Sequence, residues 1–175
     1  MKWPEVFTVK DQTALTIAKL LMTEIVPRHG VPSELLSDRG TLFLSSLMYE
    51  LYHLLGIKKI NTMAYHPQTD GLVERFNRTL TDMLAKTVEV GGADWDVRLP
   101  YVLFSYRSSL QESTQESPFY LLYGRDPQLP VEEMLVPLER ASIEIGGYTE
   151  EVTKRMSAAW ETARQQVQKA QKQQK

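Results

Sequence analysis

The first 63 residues alternate short β-rich runs with helix-period segments, and no other feature restricts the fold as much. Val6-Phe7-Thr8-Val9, ended by Lys10-Asp11, is expected as a strand. From Thr13 to Val26, apolar residues recur three and four apart at Ala14, Ile17, Ala18, Leu21, Met22 and Ile25. That period predicts a helix packed on one face, capped by Asp11 and ended by Pro27 and Gly30. Glu34-Leu35-Leu36-Ser37 reads as a brief strand stopped by Asp38-Arg39-Gly40, and Ser45 to Leu55 as a second helix with Gly56 just past its end. Ile57 to Met63 is the third expected strand. Strand, helix, strand, helix, strand argues for an α/β layer with at least one parallel pairing, because parallel neighbours need a crossover between them.

Downstream, His66-Pro67-Gln68-Thr69-Asp70-Gly71 is polar and rich in turn residues and is expected as a loop. Leu72 to Val88 is then expected as the longest helix, with Val73, Phe76, Leu80, Met83 and Leu84 on its core face; Gly91-Gly92 breaks it. Trp95 to Leu110 and Pro118 to Tyr123 read as further helices, the second closed by Gly124, and Trp95, Tyr101, Phe104 and Tyr106 are expected in the core or at a helix interface. After Pro130 the composition shifts. Residues 131–147 show no period, and Tyr148 to Lys175 is helical but increasingly rich in Gln and Lys. Its apolar stripe does not extend beyond Ala159, Trp160 and Ala163, so the tail is expected to protrude. The expected organisation is therefore a core over residues 1–130 and a linker with a helical tail over 131–175.

Composition narrows the partners. The length of 175 residues suits one domain with a real core, and the formal net charge of −2 provides no bulk attraction to nucleic acid. Any nucleic-acid contact must come from a local basic face. The sequence contains no cysteine, which rules out disulfides and thiolate zinc sites within it. No apolar run is long enough to cross a membrane and no signal-peptide core follows Met1, so the expectation is a soluble intracellular protein without a membrane partner.

Two acids stand where chemistry is plausible. Asp38 ends an apolar strand; the same string also reads as a turn aspartate. Glu74 is expected in the first turn of a long helix, where an acid also favours the helix dipole. Together, a strand-end acid, a Pro-Gln-Thr-Asp-Gly loop and a helix acid suit a divalent-metal site at a strand's C-terminal edge. Glu74, Asn77, Arg78 and Thr81 fall on one polar stripe of the helix, and a carboxylate beside an amide and a guanidinium suits metal binding next to a phosphodiester. The alternative is a solvated helix face. Tyr65, His66 and Gln68 precede it; Tyr65 and His66 read as DNA-stacking or DNA-bonding groups, or equally as loop anchors. His29 and His53 lack partners at metal-ligand spacing. Arg75, Arg78 and the tail cations Lys154, Arg155, Arg164, Lys169 and Lys172 are candidate phosphate contacts.

Leu36-Ser37-Asp38-Arg39-Gly40, the run from His66 to Leu80, and Ser117-Pro118-Phe119-Tyr120-Leu121-Leu122-Tyr123-Gly124-Arg125 resemble integrase catalytic cores of Gypsy-class LTR retrotransposons, from Lys2 to about Pro130. The resemblance implies a ribonuclease-H-like mixed sheet flanked by helices. It also implies a metal-dependent polynucleotidyl transferase, with two Mg²⁺ or Mn²⁺ ions held by three acids. In that family water attacks the element's DNA end, and the freed 3′-hydroxyl then attacks target DNA. Carried over by position, Asp38 is the second acid and Glu74 the third, both catalytic and metal-binding. Tyr65, His66, Gln68, Asn77 and Arg78 become the DNA-binding set, Tyr65 to Gly71 corresponds to the mobile active-site loop, and DNA and further copies of the chain are the implied partners. The implied location is the nucleus, with the cytoplasm as alternative.

One departure bears on activity. The family's first acid sits in a string like Asp-x-x-Ser/Thr-Lys-Trp, and here Lys2-Trp3 match its end, which puts that aspartate three residues before Met1. Asp11 follows the next strand and reads as a helix cap. With Asp38 and Glu74 alone, weak or single-ion metal binding is expected, and the loss of an essential ligand costs on the order of a thousandfold in rate. Three readings stay open: an integrase-derived core inactive as it stands, an active integrase whose coding region begins upstream of Met1, and a host-retained, non-catalytic DNA-binding or dimerisation module.

Overall fold

The computed structural model describes residues 3–62, 67–87, 94–128 and 145–173. They form two compact units, Phe7–Lys86 and Met1–Val6 with Thr87–Lys175.

In the unit Phe7–Lys86 the expected parallel pairing is present. Strand β1 (Glu34–Ser37) runs beside β2 (Lys58–Asn61) in the register Glu34↔Lys58, Leu35↔Lys59, Leu36↔Ile60, Ser37↔Asn61. The crossover between them contains helix α3 (Ser46–Leu55). Ser45 caps it by accepting from the Met48 N–H, and Gly56, left-handed at φ 67°, ends it as expected.

The first helical segment differs in detail. α1 (Ala14–Leu20) is capped by Thr13 rather than Asp11; Asp11 instead accepts from the hydroxyls of Thr13 and Thr16 and steadies the cap. The helix passes into one π-helical stretch, Leu21–Ile25, and continues as α2 (Val26–His29) to Gly30. Pro27 therefore lies inside the helical run. Proline has no N–H to donate and its ring crowds the carbonyl four residues back, and a widened π turn just before it accommodates both. Ala18 and Leu21 from this run, Met48 and Tyr52 from α3, and Ile57 build the core, with Leu35 of β1 packed against it.

Three further expectations are corrected here. Val6 to Val9 is not a strand: among the described residues the sheet has two strands, β1 and β2. A β-rich composition records fit to a sheet surface rather than a backbone preference, so without a ladder partner the run stays irregular. The polar segment after β2 is not wholly a loop, since helix α4 spans Pro67–Thr87. Proline is tolerated at a first helical position, where its missing N–H would have no partner anyway. Glu74 consequently lies about two turns into the helix and not in its first turn. On α4, Leu80 is buried and Phe76, Met83 and Leu84 are half-buried, as the period predicts, whereas Val73 is exposed.

In the other unit, helix α5 (Trp95–Ser108) buries Leu99, Val102 and Leu103. Its aromatics mostly point outward: Trp95, Tyr101 and Phe104 are exposed, contrary to the expected core role, because the buried face is aliphatic. α6 (Pro118–Tyr123) is capped by Ser117 and ended by left-handed Gly124. Arg107 of α5 ties the N-terminal segment down, its guanidinium donating to Pro4 O and, at 2.8 Å, to Glu5 Oε2, and lying 4.3 Å over the Trp3 ring. Trp3 in turn stands edge-on to Tyr123 at 5.6 Å.

The tail helix α7 (Ile145–Gln173) docks instead of protruding. Ala159 and Ala163 are buried with Leu121 of α6, and Trp160 Nε1 donates to Leu121 O at 2.7 Å. Small residues let the two backbones come close, so a short stripe suffices where a long apolar face was looked for. Gly124 sits under α7: a Cβ there would lie 2.7 Å from Met156 Cγ, at φ 68°. Gly124→Ala is therefore expected to lose about 1–2 kcal/mol from the left-handed backbone alone, and more from the collision. Thermal denaturation followed by circular dichroism measures the loss, and adding Met156→Ala should recover the steric part. An unchanged melting midpoint would contradict the seating of α7 on Gly124.

Candidate functional site

The parallel register puts Ser37 and Asn61 side by side at the C-terminal edge of the sheet, and Asp38 is the next residue. Ladder pairing continues one step further, with Thr62 N–H donating to Ser37 O at 2.9 Å. Asp38 is exposed there and its carboxylate is oriented locally: Oδ1 accepts from the Gly40 N–H at 3.0 Å, and Ser37 Oγ donates to Asp38 O at 2.8 Å. This is the local bonding of a turn aspartate, and it ties down one oxygen. Oδ2 has no hydrogen-bond partner among the described residues. Gly40 keeps the turn tight, since a Cβ there would lie 3.0 Å from Asp38 Oδ1.

Lys59 is the residue that sequence reasoning missed. Its ammonium donates to Ile60 O and to Asn61 Oδ1, both at 2.8 Å, which brings it to the same strand edge as Asp38. Partial desolvation holds its pKa below the ordinary 10.5, and attraction to the Asp38 carboxylate opposes that shift. The available signal was its position two residues before Asn61 on an expected strand, which places both on one sheet face; the register that sets Asn61 beside Ser37 was not readable in advance.

Glu74, Asn77, Arg78 and Thr81 are all exposed on α4, so the predicted polar stripe exists. Glu74 and Arg78 are one turn apart, yet neither is ion-paired among the described residues, and both heads are available to solutes. Thr81 bonds its own helix, donating to Asn77 O at 2.9 Å. With Glu74 two turns from the helix start, the dipole explanation for an acid there loses force, because that effect fades within the first turn. Asp38 stands on a separate element from this stripe. Tyr65 and His66 lie outside the described residues, as does the side chain of Gln68, which falls on the first turn of α4.

Both carboxylates offer hard oxygen donors, the type that Mg²⁺ or Mn²⁺ takes. In kind, they fit. In number they fall short of a closed site: among the described residues no group of three or more His, Cys, Asp or Glu gathers around one point. The same residues contain no helix long and apolar enough to cross a membrane.

The Asp38–Lys59 coupling is testable. Removing the negative charge withdraws support from the ammonium, so Asp38→Asn should lower the Lys59 pKa further, read by NMR titration of its side-chain resonances. An unmoved midpoint would show that the two groups do not interact. Because the folded pKa already lies below the unfolded 10.5, the unfolded chain binds more protons in that window, and this lysine's contribution to stability should grow as pH rises toward 10.5.

No protein-family model matches the chain. Over 128 residues, 73% of its length, it is 41% identical to the Gag-Pol polyprotein of feline leukemia virus, and over 126 residues 40% identical to that of koala retrovirus. In each case the match covers 7% of the viral polyprotein, so the chain spans a small part of these relatives. Among solved structures, the catalytic core domain of BIV integrase is 29% identical at a TM-score of 0.53, over 67% of this chain and 75% of that one. Two more distant structures bear on the fold alone. One is the simian T-cell lymphotropic virus intasome in complex with PP2A regulatory subunit B56 gamma, 24% identical at TM-score 0.58 over 70% of this chain and 44% of that one. The other is the HTLV-2 integrase catalytic core domain in complex with magnesium in a trimeric form, 20% identical at 0.52 over 63% and 70%. The small parallel sheet with flanking helices fits a ribonuclease-H-like fold. The likenesses in sequence and in fold together support a retroviral-type integrase core in the matched residues of this chain.

Proposed function

We propose that this chain is the DNA-binding core of a Gypsy-class retrotransposon integrase, acting in the nucleus, with Asp38 and Glu74 as its metal-holding carboxylates. The observation that carries the reading is the pair of exposed carboxylates, one at the C-terminal edge of a parallel sheet and one on the polar stripe of α4, in a chain that matches integrase cores. When bound, a divalent ion would supply charge neutralisation at the phosphodiester. The chain's own residues divide the remaining work. Asp38 presents its untethered oxygen, Glu74 presents a free carboxylate, and Asn77 and Arg78 on the same stripe bond phosphate oxygens. Tyr65, His66 and Gln68 complete the DNA-binding set by their place just before the stripe. Self-association suits the outward row Val97, Tyr101 and Phe104 on α5, three apolar side chains at helical spacing.

DNA binding should be independent of sequence and steeply salt-dependent. Arg78→Ala is expected to weaken it and to lower the salt slope by about one. Deleting the tail is the wrong control, because α7 is packed on α6; Lys169→Gln with Lys172→Gln removes tail charge from exposed positions. Fluorescence anisotropy with duplex DNA at low and moderate salt provides the test. Affinity unchanged by both Arg78→Ala and the tail double variant would refute phosphate contact at these sites.

Strand transfer is a separate matter. Among the described residues no third acid gathers with Asp38 or Glu74, where the resembled chemistry uses three, and no strand transfer on branched DNA is expected from residues 1–175, even with Mn²⁺. A metal-dependent product abolished by Glu74→Gln would overturn that expectation.

A further inference from the structure

We propose that Lys59, steered by Asn61, is a DNA-phosphate contact at the Asp38 edge of the sheet, holding a backbone phosphate beside that carboxylate. The inference rests on the nucleic-acid reading above and adds a residue that neither the family resemblance nor the α4 stripe singles out. The backbone dictates where this ammonium can go. Lys59 pairs in register with Leu35, so the two side chains share a sheet face, and Leu35 packs on the core of Ala18, Leu21, Met48 and Tyr52. A lysine on a core-facing surface must run its stem along the apolar wall and surface its charge at an edge. Lys59 does so toward the C-terminal edge, where Ile60 O and Asn61 Oδ1 each accept from it at 2.8 Å.

An ammonium has three donors, and these two bonds use two of them. The third has no protein partner among the described residues. It is also not bonded to Asp38, whose Oδ1 takes the Gly40 N–H instead. The arrangement is a positioned cation with one open donor beside a carboxylate with one open oxygen. A phosphodiester fits that pair: its oxygen takes the ammonium's free donor while the carboxylate stays available for a cation. The partial desolvation of Lys59 adds to this, since a partly dehydrated ammonium gives up less water on meeting an anion.

Its neighbours lack these features. Lys58 is bound to Glu34 at 2.8 Å at the opposite, N-terminal end of the strands. Arg39, also at this edge, is exposed on the turn and is not positioned by any such bond among the described residues.

The test is anisotropy of labelled duplex DNA with the full chain in EDTA across a salt series, comparing Lys59→Gln, Lys59→Arg, Lys58→Gln and Arg78→Ala. Lys59→Gln should weaken binding several-fold and lower the salt slope by about one, Lys59→Arg should keep the slope, and Lys58→Gln should change neither. A merely structural lysine would shift the melting temperature and leave the slope alone. If Lys59→Gln melts early, Lys59→Met, which keeps the apolar stem, is read for the same two quantities. Wild-type slope and affinity in the Lys59 variants, with Arg78→Ala still weakened, would overturn the Lys59 assignment and leave the DNA reading standing. No binding by the wild-type chain at low salt would overturn both.

Discussion

The parallel pairing of β1 with β2 is the constraint on which the rest of the site depends. Four residues pair with four, and the register sets Ser37 against Asn61. Because parallel strands run the same way, their C-terminal ends coincide, and everything that follows either strand arrives at one edge: Asp38 from β1, and Asn61 with the returning head of Lys59 from β2. A one-residue slip of β1 would send Leu35 out of the core, and a one-residue slip of β2 would turn Lys59 to the opposite face. Charge placement and core packing are thus fixed by the same hydrogen-bond ladder, and neither can be changed without the other.

That ladder is short, and a two-stranded sheet is marginal by itself. Its support comes from the crossover. Met48 is fully buried and Tyr52 nearly so, and both sit with Ala18, Leu21 and Ile57 under β1. Tyr52 carries a cost, for its hydroxyl is buried with no hydrogen-bond partner among the described residues, and burial raises its pKa. The ring's apolar area outweighs one unsatisfied hydroxyl, since a buried aromatic contributes more than the ~1–3 kcal/mol such a group costs.

What the sequence disclosed follows from which signals are local. Helix ends are local: Gly56 and Gly124 each stop a helix where expected, and β1, α3 and β2 follow within a residue or two. Partners are not local. Val6 to Val9 looked like a strand because its composition suits one, but strand formation needs a neighbour. The start of α4 was missed because Pro and Gly in His66 to Gly71 read as turn residues; proline at a helix start and one glycine inside it are both tolerable, the glycine costing roughly 1 kcal/mol. α7 was expected to protrude because its stripe is short, and Ala159 and Ala163 turn out to need only Leu121 opposite them. For the site, residue types at strand and helix positions revealed Asp38 and the α4 stripe, while Lys59 depended on cross-strand register.

For a chain of net charge −2, the proposed DNA contact has to come from the local charge balance. Long-range attraction is weak, and solvent-exposed charges are screened beyond about 8–10 Å at ordinary ionic strength. Contact must therefore come from cations within a few ångströms of a phosphate. Several of this chain's cations are already engaged: Arg28 with Glu24, Arg155 with Glu151, Lys58 with Glu34, Arg98 with Asp94 and Arg107 with Glu5. Arg78 on the α4 stripe is exposed and unpaired among the described residues, and Lys59 is half-buried with its bonds going to neutral oxygens rather than to a carboxylate. A cation bound to a neutral carbonyl keeps its full charge for a third party, whereas one in an ion pair does not. The bonding pattern therefore leaves Lys59 and Arg78 bonded to no carboxylate among the described residues, at the two places where the candidate acids also stand.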